Sequence, residues 1–204
     1  MPPFVRRHTV YREMARGHYA RTLAMRMAGV SPLNVIIGSG EVAIPGWFET
    51  DMAVLDITSP SDWRRLFKPE SIDKLLAEHV LEHLTVDETE AALRLCHTHL
   101  KSGGLFRIAV PDGNRRDADY VAEVSPPKDG HKVLFTLDSL SELVEGAGFE
   151  VTPLEYFDDN DEFHFNPWNE DEGMIYRSMR FNHDEPFKRG EMYFTSIIVD
   201  ARKR

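Results

Sequence analysis

From residue 33 to residue 154, short apolar runs rich in β-branched residues alternate with stretches of helical pattern. This alternation limits the fold more than any other feature of the chain. Residues 33–37 (LNVII) run straight into glycine, and 47–51 (WFETD), 71–77 (SIDKLLA), 105–110 (LFRIAV) and 149–154 also read as strands. Between them, 60–67 holds one or two helical turns with Ser61 as cap, and 85–100 is the clearest helix. There, Thr85 and Glu88 have capping-box spacing, and Ala92, Leu93, Cys96 and Leu100 recur at about 3.6 residues. Residues 136–147 form a further helix that stops at Gly148, 194–201 is a last strand, and 8–28 is an N-terminal helix. Strands alternating with helices predict an α/β fold with a mainly parallel sheet. Residues 112–130, with Pro126, Pro127 and many charges, have the composition of a loop or lid.

Ligands of such sheets sit beyond the C-terminal strand ends. That rule selects Gly38, Ser39 and Gly40, then Asp51, Asp56, Glu78, His79, Pro111 and Asp112. Glycines at 38 and 40 let the backbone turn sharply and approach a ligand. A carboxylate at Asp51 suits the hydroxyls of a ribose. His79, Glu82 and His83 also fit the H-x-x-E-H spacing of inverzincin metalloproteases, in which two histidines one helical turn apart bind zinc. Here the pattern follows a short strand-like run instead of lying inside a long helix, which counts against that reading.

Charge and composition exclude several classes. The net charge of −10 argues against non-specific nucleic-acid binding, and a single cysteine, Cys96, rules out an internal disulfide framework. No stretch reaches 18 apolar residues, and the first residues lack the apolar core of a secretion signal, so no membrane span and a cytoplasmic location are expected. The charge is uneven. Residues 1–32 carry six arginines against Glu13, a local charge of +5, and read as an N-terminal basic helical arm before a single domain at 33–204. Residues 155–172 carry eight acids, no Lys or Arg, and five aromatics: Tyr156, Phe157, Phe163, Phe165 and Trp168.

In order along the chain stand LNVIIGSG, PGWFETD, LDIT, AEHVLEHL, LKSGGLFRIAVPD and LSELVEGAGFE. This series resembles the class I S-adenosylmethionine-dependent methyltransferases, closest to a small subgroup with G-W-x-x-x-D after the glycine loop and E-H-x-L-E-H after the fourth strand. The tail motifs at 173–178 and 193–203 resemble the same subgroup. The resemblance implies a Rossmann-like three-layer sandwich with an antiparallel C-terminal strand. It implies S-adenosylmethionine as donor, S-adenosylhomocysteine as product, and a small polar or sugar-like acceptor. Gly38, Ser39 and Gly40 would line the donor's amino-acid and ribose portion, and Asp51 would take the ribose hydroxyls. Asp56 and Ile57 would flank the adenine, and Glu78 and His79 would lie near the sulfonium. Asp112, His131 and His164 are the candidate bases. Methyl transfer of this kind needs no metal, and none is expected.

Two departures stand out. Isoleucine occupies the place of the usual acid before the first glycine. Only nine residues separate the first strand from Trp47, fewer than the dozen or so of a parallel crossover. The first crossover helices are therefore expected to be shortened. A module on this fold that binds the donor without transferring its methyl is the alternative reading. The expected partner is a small-molecule acceptor, and a homodimer is compatible with the sequence.

Overall fold

Strand β1 (Asn34–Ile37) is buried along its whole length and forms the pivot of the sheet. Parallel to it on one side runs β2 (Phe48–Glu49), and on the other β3 (Ile72–Glu78). Beyond β3 come β4 (Leu100–Pro111), then β7 (Ser196–Lys203), β5 (Phe149–Phe157) and β6 (Phe163–Phe165), giving the order β2-β1-β3-β4-β7-β5-β6. Strand β7 is antiparallel to both β4 and β5, and β6 is antiparallel to β5, so β1–β5 share one direction. The computed structural model describes residues 17–40, 42–181 and 196–204.

Side chains alternate across the sheet because strand residues point to opposite faces in turn. Val35, Ile37, Leu75, Ala77, Phe106, Ile108, Val110, Ile197 and Val199 belong to the main core. Against them pack Ala20, Leu23 and Met27 of helix α1 (17–27), Trp63 and Leu66 of α2 (Pro60–Leu66), Leu93 and Cys96 of α3 (Val86–His99), and Leu140 and Val144 of α5 (Leu137–Gly146). The opposite face offers Ile36, Leu76, Ala109 and Ile198, covered by Trp47, Trp168 and Ile175 from irregular segments. Helices, sheet and irregular segments make the three layers.

Most elements follow the sequence pattern. Helix α3 carries the expected capping box: Glu88 N–H donates to Thr85 Oγ1 at 3.3 Å, and Thr85 N–H donates to a Glu88 carboxylate oxygen at 2.8 Å. Such caps contribute about 1 kcal/mol. Among the described residues no helix joins β1 to β2, as the nine-residue gap requires. Other expectations need correction. Ser59, not Ser61, caps α2. The second strand is only two residues long, and Thr50, just after it, donates both its N–H and its hydroxyl to the Ile36 carbonyl. Residues 112–130 are not all loop: Asp117 caps a helix α4 (Ala118–Val124).

The acidic stretch 155–172 is equally structured, with β5 running to Phe157 and Trp168 buried. The expected early part of the basic arm, with Arg6, Arg7, Arg12 and Arg16, lies outside the described residues, as do positions 194–195 of the last strand. No helix among the described residues is long and apolar enough to cross a membrane.

Candidate functional site

The chain leaves β1 to pair on one side with β2 and on the other with β3, so the strand order reverses at β1. A crevice opens outside the carboxyl ends of strands at such a point. In register Ile37 lies opposite Ala77, which sets Gly38 beside Glu78, and Ile36 opposite Glu49 brings Asp51 to the same edge.

Three residues there hold the left-handed region: Gly38 (φ 62°), Gly40 (φ 54°) and His79 (φ 55°). At Gly38 glycine is required twice over, since a Cβ would also stand 2.6 Å from Val80 Cγ2. At Gly40 a Cβ would meet nothing within 4 Å, so the backbone there borders open space. Ser39 is held by its N–H to the Thr50 carbonyl at 2.9 Å. Asp51 is exposed, with one carboxylate oxygen accepting the Met52 N–H at 2.6 Å. A non-glycine residue in this backbone region, as at His79, costs roughly 1–2 kcal/mol and points to a functional edge.

The other expected residues fall into place differently. Asp56 is half-buried and accepts the N–H and hydroxyl of Thr58 at 3.0 and 2.7 Å. Ile57 lies in the main core and its carbonyl takes the Trp63 indole N–H at 2.9 Å. Glu78 accepts the backbone N–H groups of Tyr176 and Arg177 at 3.1 and 2.7 Å, which draws that segment over the end of β3. His79 Nε2 meets Ser196 Oγ at 3.0 Å. Because Ser196 Oγ donates to the Arg177 carbonyl at 3.0 Å, the imidazole N–H is the donor to Ser196.

The candidate bases separate clearly. Asp112 is buried, and its two oxygens accept the N–H groups of Asn114 and Phe157 at 2.9 and 2.7 Å. Burial raises its pKa above the usual carboxylate value, with those two N–H groups opposing. His164 stands on β6, five strands from β1, or about 24 Å at ordinary strand spacing. It binds Asp158 at 3.0 Å and stacks on Tyr156. His131 follows the turn after α4, and its Nδ1–H donates to the Val124 carbonyl at 2.7 Å. That bond leaves Nε2 with its lone pair.

Two groups take places that the sequence did not assign them. Glu82 is buried completely beside His83 and His131, although the H-x-x-E-H spacing had marked it. The turn that carries it, Leu81–His83, is a short 3-10 helix and not the α-helix that a pair of zinc-binding histidines one turn apart would need. The second is Arg107, 1% exposed within β4. A lone arginine inside an apolar strand was its only signal.

Glycine loop, strand-end carboxylate and reversed strand order together define a nucleotide-type α/β protein with its site at the carboxyl edge of the sheet. Residues 13–154 match the family model described as a methyltransferase domain, and the chain belongs to that family, within the class I S-adenosylmethionine-dependent methyltransferases. Solved structures share the fold. An S-adenosylmethionine-dependent methyltransferase from Archaeoglobus fulgidus is 16% identical with a TM-score of 0.54, over 94% of this chain and 94% of that one. The DszA carbon methyltransferase is 13% identical with a TM-score of 0.52, over 96% of this chain and 54% of that one. No curated protein matches the sequence.

The residues fit the donor of that class. Open backbone at Gly40 gives room for it, and the exposed Asp51 carboxylate is free to accept from a diol. Glu78 is already engaged with two backbone N–H groups, which leaves its carboxylate less available to a donor than that of Asp51.

Proposed function

We propose that this enzyme methylates a small polar or sugar-like acceptor at the carboxyl edge of β1, β3 and β4. The observation that carries the reading is the placing of Gly38, Gly40, Asp51 and His79 along one edge by the β2-β1-β3 register. When bound, S-adenosylmethionine supplies a methyl carbon already activated by a sulfonium.

The chain has then to orient an acceptor about 3 Å from that carbon and keep water away. Gly38 and Gly40 hold the loop open, and Asp51 accepts hydrogen bonds from the ribose. The segment 174–178, tied down by Glu78, narrows the same edge, which supports a small acceptor over a macromolecular one. Asp112 has both oxygens bonded to backbone N–H groups, and His164 and His131 each have one ring nitrogen engaged, by Asp158 and by the Val124 carbonyl.

Calorimetry with S-adenosylmethionine and S-adenosylhomocysteine tests the donor site, and heat is expected with both. An acceptor screen read by product mass then tests the acceptor class. No heat with either ligand at several hundred micromolar would overturn the donor assignment, and methylation confined to proteins or nucleic acids would overturn the acceptor class.

A further inference from the structure

Glu82 is a buried carboxylate with no well-aligned hydrogen-bond donor on either oxygen among the described residues. His79 Nδ1 approaches Oε1 to 3.1 Å, an ion-pair distance with poor alignment. An unsatisfied buried acceptor costs about 1–3 kcal/mol, and more when charged. Chains keep such a group when something else satisfies it.

What lies beside it is two imidazoles. The Lys132 and Val133 N–H groups both donate to the Glu82 carbonyl, at 2.7 and 3.2 Å, and this pins residues 131–133 against the turn. His131 thereby meets His83 edge-on, with ring centroids 5.0 Å apart. One ligand atom from each of Glu82, His83 and His131 lies within 4.8 Å of the other two.

We infer that Glu82, His83 and His131 form a binding site for a divalent transition-metal ion at the carboxyl edge of β3. Two imidazoles and a carboxylate suit zinc, iron, manganese or cobalt better than magnesium or calcium, which prefer oxygen alone. Metal–ligand bonds of about 2.0–2.2 Å set tetrahedral neighbours about 3.3 Å apart, so the three groups, within 4.8 Å of one another, need close by no more than about 1.5 Å. His131 is prepared for this: its Nδ1–H bond to the Val124 carbonyl fixes the ring and leaves Nε2 for the ion, as carbonyls behind metal-bound histidines do. Three protein ligands leave at least one position for water or an acceptor oxygen.

The site adjoins the glycine loop, since Val80, two residues before Glu82, packs on Gly38. By contrast, the group of Asp158, Glu162 and His164 has in Asp158 a carboxylate already satisfied by His164, Asn160 and Glu162.

The test uses untagged full-length protein, stripped with a chelator and desalted, with no methyl donor present. Zn2+, Mn2+ and Co2+ are titrated calorimetrically, and Co2+ is also followed by its visible absorption. One equivalent of at least one ion is expected to bind, with affinity reduced tenfold or more in both His83→Ala and His131→Ala. Absence of stoichiometric binding to the wild type, or undiminished binding in either folded variant, would overturn the site. If His131→Ala does not fold, His83→Ala decides alone, because that side chain is exposed. Since no donor is present, the outcome leaves the donor assignment untouched.

Discussion

Arg107 and Asp200 stand opposite each other on β4 and β7 and join through two parallel hydrogen bonds of 2.7 and 2.9 Å. The remaining nitrogen, Nη1, donates to the carbonyls of Asn169 and Gly173 at 2.8 and 2.6 Å, and the guanidinium lies 4.9 Å from the Trp168 ring. One arginine therefore anchors the acidic segment to the sheet. Removing it strands a largely buried carboxylate and two carbonyls. Arg107→Ala is expected to destabilise the fold by about 3–5 kcal/mol in urea unfolding. Arg107→Lys keeps the charge but not the fork, and should recover only part of that. Equal stability of Arg107→Lys and wild type would show that charge alone holds the segment.

Gly38 and Gly40 make a sharper pair, because they share a backbone conformation but not surroundings. Gly38→Ala brings the cost of the left-handed region, about 1–2 kcal/mol, together with a clash against Val80. Gly40→Ala brings the first alone. In thermal unfolding Gly38→Ala should lose clearly more stability than Gly40→Ala. Adding Val80→Ala to Gly38→Ala should cost less than the two separate changes added together. Strict additivity of the two would remove the packing argument.

The sequence showed the cofactor half of the molecule well because that half is built locally. A strand that ends at Gly38, a capping box at Thr85 and a stop at Gly148 are each set by neighbours in the chain. What it hid depends on distant partners. Arg107 is satisfied by Asp200, Asn169 and Gly173, and no short-range pattern announces such a set. Trp168 looked like one aromatic among acids, yet its indole N–H donates to buried Glu155 at 2.8 Å, which makes it core. Glu82 was visible in the spacing, but its meeting with His131 depends on a turn 48 residues further along.

Asp158 offers a pH test. Its carboxylate accepts from His164 and from the N–H groups of Glu162 and Asn160, and these hold its pKa down to about 2 from an ordinary 3.8. A depressed folded-state value means that the contribution to stability is complete above about pH 4. It is lost as the pH falls from 3.8 towards 2, where the folded carboxylate finally takes its proton. Carboxyl NMR titration should place Asp158 near the low value in wild type and higher in His164→Ala, whose first-named support is gone. An unchanged midpoint would assign the shift to the backbone N–H groups alone.

Asp51 separates function from fold most cleanly. It is exposed, and its carboxylate accepts the neighbouring Met52 N–H while the bonds to Val54 and Leu55 run through its backbone carbonyl, so Asp51→Ala should change stability by no more than about 0.5 kcal/mol. If its carboxylate holds the ribose diol, the same change should weaken S-adenosylmethionine and S-adenosylhomocysteine equally, by about 1–3 kcal/mol, because both carry that diol. Asp51→Asn keeps one acceptor and should fall between. Calorimetry on the three proteins reads this directly, with the melting temperature as control. Unchanged affinity in Asp51→Ala would move ribose recognition away from the end of β2, while equal losses of stability and affinity would make Asp51 a structural residue of the turn.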